Sequence, residues 1–421
     1  MRQSDYRRLL LGFTVATLLI WVASRKSFFA DTISSPFLAI AFFSVFLILV
    51  RTGTSWKQVS GVVGVFLALA AFDLRICGYV ATWPVWASFL GIASLAGLAF
   101  RVIWSKGEEQ RLAAWTLGPA FLFVASEWMA SYFLEWTEKA HPKVFDLYLY
   151  SFDASMHVQF PFVVGRLFAR YPGFAVVSFF VYIGLPIAIG LTYAGCLMRD
   201  RRNAMPALGG FLIAGPLGIL FYNLLPALGP VHVFLRDFPW HPLTYDQASR
   251  LFLEPIAIAG PRNAIPSLHA AWSFLVLWYA RNLSLAEKFL AGIFAFFTLC
   301  ATLGTGEHYF VDLIVAVPFS LLVIAIAESI TFRGWCTIRF PLIAGLGLTV
   351  TWIATLRFAP KIYWSSPGVA WITCLATLFI SFLAGKALLD ARRSATSVPD
   401  DLEAMPSSDS ECSVAATVST E

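Results

Sequence analysis

The chain has 421 residues, 58% hydrophobic and 13% charged, with 39 Phe and 15 Trp. Soluble domains carry about 25% charged residues, so the composition excludes an ordinary soluble protein and points to a polytopic membrane protein. The net charge of +5 would suit a nucleic-acid binder, but the 30 Lys and Arg are scattered between apolar segments, where topology accounts for them and nucleic acid is excluded as a partner.

At the N-terminus, MRQSDYRR and the apolar run to Ser24 read as an uncleaved signal anchor. Apolar stretches long enough to cross a ~30 Å hydrocarbon core place about twelve spans. They lie near 9–24, 37–50, 59–76, 83–104, 113–134, 173–198, 206–226, 266–280, 289–306, 308–330, 340–357 and 367–388. The expected fold is all-α, a polytopic helical membrane bundle. If the N-terminus is cytoplasmic, 18 of the 30 basic residues fall in inside segments, most of them short loops, as the positive-inside rule requires. All six His, at 141, 157, 232, 241, 269 and 308, then lie on the outer side. The expected location is a plasma or inner membrane, with the catalytic face extracytoplasmic.

Two long connections share that outer side. Residues 135–172 alternate aromatic and charged positions and read as an interfacial amphipathic helix. Residues 227–265 are rich in Pro and Gly and cannot be regular helix throughout. The expected divisions are 1–134, membrane helices without a nameable constellation; 135–330, the catalytic core; 331–390, two plainer helices; and 391–421, a disordered cytoplasmic tail. The six Cys, at 77, 196, 300, 336, 374 and 412, show no metal-ligand spacing and most read as small hydrophobes.

The candidate chemistry lies between Gly260 and Asp312, in GPRNAIPSLHAAW and GTGEHYFVDL. His308 and Asp312 are four apart and share a helix face. A carboxylate one turn inside a membrane helix is costly and implies a partner. A neutral imidazole attacks phosphorus when a carboxylate takes its other ring proton, which assigns His308 as nucleophile and Asp312 as its orienter. His269, at the mouth of the neighbouring span, is placed to protonate the departing oxygen. Ser267 and a helix N-terminus starting at Pro266 are placed to bind phosphate oxygens.

PSLH at 266–269 and HYFVD at 308–312 resemble the second and third signature motifs of the phosphatidic acid phosphatase type 2 superfamily. FYNLLPALGP at 221–230 and the Leu within PSLH resemble, more narrowly, its inositolphosphotransferase branch. That branch includes the aureobasidin-resistance inositol phosphorylceramide synthases. The resemblance covers roughly 140–330. It implies a six-helix phosphatase-like core, a phosphohistidine intermediate and no metal or other cofactor, with a lipid phosphate or phospholipid as donor and a lipid alcohol as acceptor. One departure stands out. The superfamily carries an Arg six residues before the nucleophile, where this chain has Thr302, and no KxxxxxxRP run precedes 260. Phosphate charge must be met elsewhere, usually by a bidentate Arg; Arg262 is the candidate, followed by His232, Arg236 and His241.

The reading is an enzyme, a phosphotransferase on lipid head groups, with a lipid phosphate phosphatase as the alternative. A proton-coupled transporter would need ionisable residues in several mid-spans and inverted repeats. A metal-dependent hydrolase would need a third ligand at short spacing. The sequence shows neither.

Overall fold

The computed structural model describes residues 35–77, 82–330 and 335–397. The expected span 9–24 and the residues after Ser397 lie outside the described residues. In chain order the helices begin with α1 (Pro36–Arg51), α2 (Trp56–Phe72), α3 (Trp83–Trp104) and α4 (Gly107–Ala140). A short strand β1 (Lys143–Val144) precedes α5 (Asp146–Ser155), α6 (Phe160–Arg170), α7 (Pro172–Ile183), α8 (Leu185–Arg199) and α9 (Arg201–Leu224). The long 227–265 connection holds α10 (Pro230–Phe234), α11 (Tyr245–Ser249) and strand β2 (Ile256–Ala257). Last come α12 (Leu268–Ala280), α13 (Leu285–Gly304), α14 (Phe310–Ser329), α15 (Trp335–Phe358) and α16 (Pro367–Ser397).

This is an all-α integral membrane protein. Among the described residues eight helices are long and apolar enough to cross a membrane, and the bent pair α6–α7 would make a ninth. The shorter apolar helices α1, α8 and α12 coincide with further segments that the sequence marks as spans. Sequence signals set the helix ends at the basic side. Ser55 and Gln58 form a reciprocal capping box at the start of α2, as do Ser284 and Glu287 at the start of α13. Each satisfies two N–H groups that a helix start leaves orphaned.

Three local readings are corrected. The segment 135–172 is not one interfacial helix. Its middle part, α5, is buried on nearly every face, with Asp146 and Leu149 through Ser155 all enclosed; its carboxylates satisfy backbone groups of other elements instead of facing water. Span 173–198 is interrupted at Gly184, and α7 turns 116° away from α6 at Tyr171–Pro172, where proline fixes φ and cannot extend the preceding helix. The last helix continues to Ser397, so the first residues assigned to the tail are helical.

Helix α14 is the hub, buried over most of its length and packed against α9, α12, α15 and α16. One apolar cluster runs from Leu38 to Leu388 and joins α1–α4 to the later helices. Strand β1 pairs antiparallel with β2, Lys143 opposite Ala257. That pairing fixes the 227–265 connection, irregular as its composition requires, above the start of α14.

Candidate active site

The start of α14 is held by three carboxylates. Asp312 Oδ2 accepts the Tyr309 N–H at 2.8 Å. From α5, Asp153 accepts the Phe310 N–H at 2.7 Å and the Val311 N–H at 3.1 Å. Asp146, one helix end away, accepts the Leu228 and Gly229 N–H groups and the Tyr309 hydroxyl, the last at 3.1 Å. Carboxylates are favoured at a helix N-terminus, where N–H groups lack partners. Burial raises the Asp146 carboxyl to about 6, opposed by the Gly229 and Leu228 N–H bonds. It raises Asp153 further, with the Asp312 charge adding to the effect.

The glycines of the two loops permit their close approach. Gly229 has φ +145°, and a Cβ there would lie 2.4 Å from the Glu307 carbonyl oxygen. Gly306 has φ +78° and passes against Phe238 and Val231. Val231 donates its N–H to the Gly306 carbonyl at 2.9 Å, so the ALGP segment clamps the turn that carries His308.

His308 lies in that turn, just before the helix, and is 1% exposed. Its Nδ1 is 2.9 Å from the Ala264 carbonyl oxygen and 3.4 Å from Asp312 Oδ2. A carbonyl oxygen only accepts, so Nδ1 carries the proton and Nε2 carries the lone pair. Nε2 faces the Ser267 hydroxyl at 3.2 Å. Burial lowers the imidazole to about 4, which keeps it neutral at neutral pH. The nearest Nδ1 acceptor is thus a backbone carbonyl, with Asp312 behind it.

His269 stands on the first turn of α12, half-buried, its ring centroid 6.4 Å from that of His308. Tyr182 stacks on it at 4.1 Å and places its hydroxyl 3.1 Å from His269 Nδ1. Phe37 of α1 packs against both rings, 5.3 Å from that of His269 and 5.5 Å from that of Tyr182. Ser267 caps α12 by accepting the Ala270 N–H at 3.4 Å; the helix begins at Leu268, two residues later than Pro266.

The basic candidates are placed differently. Arg262 is 2% exposed. It donates Nε–H to the His141 carbonyl at 2.8 Å, Nη2 to the Ile258 carbonyl at 2.9 Å and Nη1 to the Gly260 carbonyl. Glu138 lies 3.9 Å from it and accepts the Gly260 N–H. Its fork therefore braces the 258–262 loop. His232 reaches Glu307, the neighbour of His308, at 3.5 Å; that hydrogen bond raises the His232 imidazole. Burial of Glu307 is outweighed by its contact with His232, and its carboxyl is lowered. Thr302 is fully buried and bonds back to the Leu299 carbonyl at 2.8 Å. No group of three or more His, Cys, Asp or Glu among the described residues is arranged to hold a metal ion.

Residues 147–326 match the family model of the PAP2 superfamily. Members of that superfamily are phosphatases or phosphotransferases acting on phosphate esters, and the chain is an enzyme of that kind. The PAP2 segment runs from α5 to the last turn of α14 and contains both His269 and His308. No curated protein and no solved structure matches the chain. Sequence reasoning missed Asp146, Asp153, Tyr182 and Glu307, of which only Glu307 carried a signal, as the neighbour of His308.

Proposed function

We propose that the chain is a phosphotransferase that moves a phosphate-containing head group between lipids, in the manner of an inositol phosphorylceramide synthase, at the extracytoplasmic face. The observation that carries this reading is the tautomer of His308. With Nδ1–H donated to the Ala264 carbonyl, Nε2 presents its lone pair beside Ser267, as a nucleophile must.

In this mechanism Nε2 attacks the donor phosphorus, the N–P bond forms and the bond to the leaving alcohol oxygen breaks. His269 enters as the imidazolium, its Nδ1–H donating to the Tyr182 hydroxyl oxygen 3.1 Å away, passes its Nε2 proton to the leaving oxygen and is left as the neutral ring. The 6.4 Å between ring centroids admits one phosphoryl group. In the second half His269 takes the proton of the acceptor hydroxyl as its oxygen attacks phosphorus, and His308 is released. Ser267 and the N-terminus of α12 supply donors to the phosphoryl oxygens, with His232, partly exposed and bonded to Glu307, as a cation beside the site and Arg262 holding the loop above. Positive charge developing on the His308 ring falls beside Asp312.

Near-complete enclosure of His308, Ser267 and Asp312 favours transfer to an alcohol over hydrolysis, because a site closed to water protects the intermediate. Incubation of the purified protein with a head-group-labelled phospholipid and a lipid alcohol tests this. Transfer of label to the alcohol supports the reading, whereas release of water-soluble phosphate assigns a phosphatase.

A further inference from the structure

The helices before the PAP2 segment enclose a crevice that the chemistry above does not use. It lies between α2 and α3, holds about 500 Å³, and is lined by apolar and small residues with Lys57 and Arg101 at its rim. That volume falls within the ~300–1,000 Å³ typical of small-molecule sites. The crevice is remote from His308. Phe37, near the start of α1, touches His269, whereas Arg51, at its other end, pairs with Glu287 at the start of α13 at 2.8 Å. At about 1.5 Å rise per residue, α1 separates the two ends by roughly 20 Å.

Its walls are built for a chain. Gly61, Val62 and Val65 of α2 face Ala93, Ala96 and Gly97 of α3 across the gap. The packing is uneven, because Gly97 meets the Val62 side chain closely while nothing lies within 4 Å of a Cβ built on Gly61. Small side chains let the two helices approach at Gly97 and Val62, and the slot stays open where no atom covers Gly61.

The rim carries a charge with spare capacity. Arg101 is 4% exposed. It donates Nη1 to the Thr54 hydroxyl at 2.9 Å, but its buried Nε–H has no hydrogen-bond partner. Glu109 is 3.8 Å from that nitrogen, beyond hydrogen-bond reach, and is half exposed. A buried guanidinium N–H left unmade is costly. Lys57 adds a second cation on the first turn of α2.

We propose that this crevice binds an anionic phospholipid of the surrounding membrane, its acyl chain between α2 and α3 and its phosphate against Arg101 and Lys57. An apolar slot ending in two cations matches an amphiphile with a negative head, as basic pockets between membrane helices do. A zwitterionic lipid would offer the same chain but less net charge. The site is separate from the catalytic one and does not rest on the transferase reading.

Native mass spectrometry of the full-length protein in detergent, titrated with phosphatidylglycerol or phosphatidylcholine, tests it. The expected result is a preference of about tenfold for phosphatidylglycerol, equivalent to ~1.4 kcal/mol. Gly61→Phe, which fills the open part of the slot, abolishes that binding. Lys57→Gln, at an exposed position, and Arg101→Gln reduce the preference while retaining chain-driven binding. His308→Ala leaves the binding unchanged. Equal binding of the two lipids overturns the proposal, as does undiminished binding by Gly61→Phe, which would place the lipid elsewhere. A cysteine at 61 that crosslinks in high yield to one within 9–24 also overturns it, since a segment of the chain itself would then occupy the slot.

Discussion

Removing the Asp153 side chain separates scaffold from chemistry in a single position. Asp153→Ala deprives the Phe310 and Val311 N–H groups of their acceptors, at 2.7 and 3.1 Å. Val311 is fully buried and Phe310 partly so, and water cannot readily replace the carboxylate at the first. A buried N–H without a partner costs ~1–3 kcal/mol, so the loss for the two is about 2–6 kcal/mol, with the lower half applying if water reaches Phe310. The turn bearing His308 precedes these groups directly and moves with them. A displacement of ~1 Å at a reacting atom costs on the order of 10² in rate. Purified Asp153→Ala should therefore show a melting temperature lowered by several degrees and turnover reduced about a hundredfold, while Asp153→Asn, which keeps one acceptor oxygen, falls between it and the parent. A variant with parental melting temperature and turnover would refute the view that α5 holds the nucleophile in place.

Three further predictions follow from the same geometry. His308→Ala abolishes turnover of every substrate, whereas His269→Ala loses ~10²–10⁴-fold on a natural lipid but far less on an activated aryl phosphodiester, whose leaving group departs without a proton; equal losses on both substrates would remove the acid role of His269. Arg262→Lys impairs turnover and lowers thermal stability together, because one ammonium cannot reach the three carbonyls that the guanidinium braces; full activity in Arg262→Ala would free the loop from that requirement. The acid limb of kcat/KM falls near pH 4 and not near 6.5, since burial depresses His308 and the neutral form is the nucleophile. With a depressed pKa, the His308 contribution to stability is full above about 6.5 and is lost as pH falls towards 4. A limb at 6.5 would mean that His308 is solvated in the working enzyme.

The legible part of the structure was what hydropathy and short motifs encode. Segments such as 83–104 coincide with the helix found, because a bilayer demands a continuous apolar run from each span by itself. His308, Ser267 and Asp312 were brought together as their motifs imply, since PSLH and HYFVD each lie at the mouth of a helix. What escaped depends on contacts between distant segments. Asp153 and Phe310 are 157 residues apart, and Tyr182 and His269 are 87 apart; neither pair leaves a local pattern. The Ala264 carbonyl that fixes the His308 tautomer is a backbone group with no side-chain signature. Arg262 was the natural phosphate ligand by residue type, yet a Gly- and Pro-rich loop also needs internal donors, and burial beside three carbonyls turned its fork towards them. The aromatic and charged alternation of 135–172 looked interfacial because carboxylates that satisfy buried helix ends, such as Asp146 and Asp153, are indistinguishable in sequence from carboxylates that face water.

The proposed mechanism turns on a covalent bond from phosphorus to His308 Nε2. Rapid quench of the protein with a head-group-labelled phospholipid, without acceptor, followed by peptide mapping under alkaline conditions, tests it most directly. The expected result is label on the peptide containing His308, stable to base and labile to acid, accumulating at up to one equivalent and absent in His308→Ala. Base-labile label on Ser267, whose hydroxyl is the nearest oxygen to Nε2, would make His308 a general base and serine the nucleophile, and would contradict it.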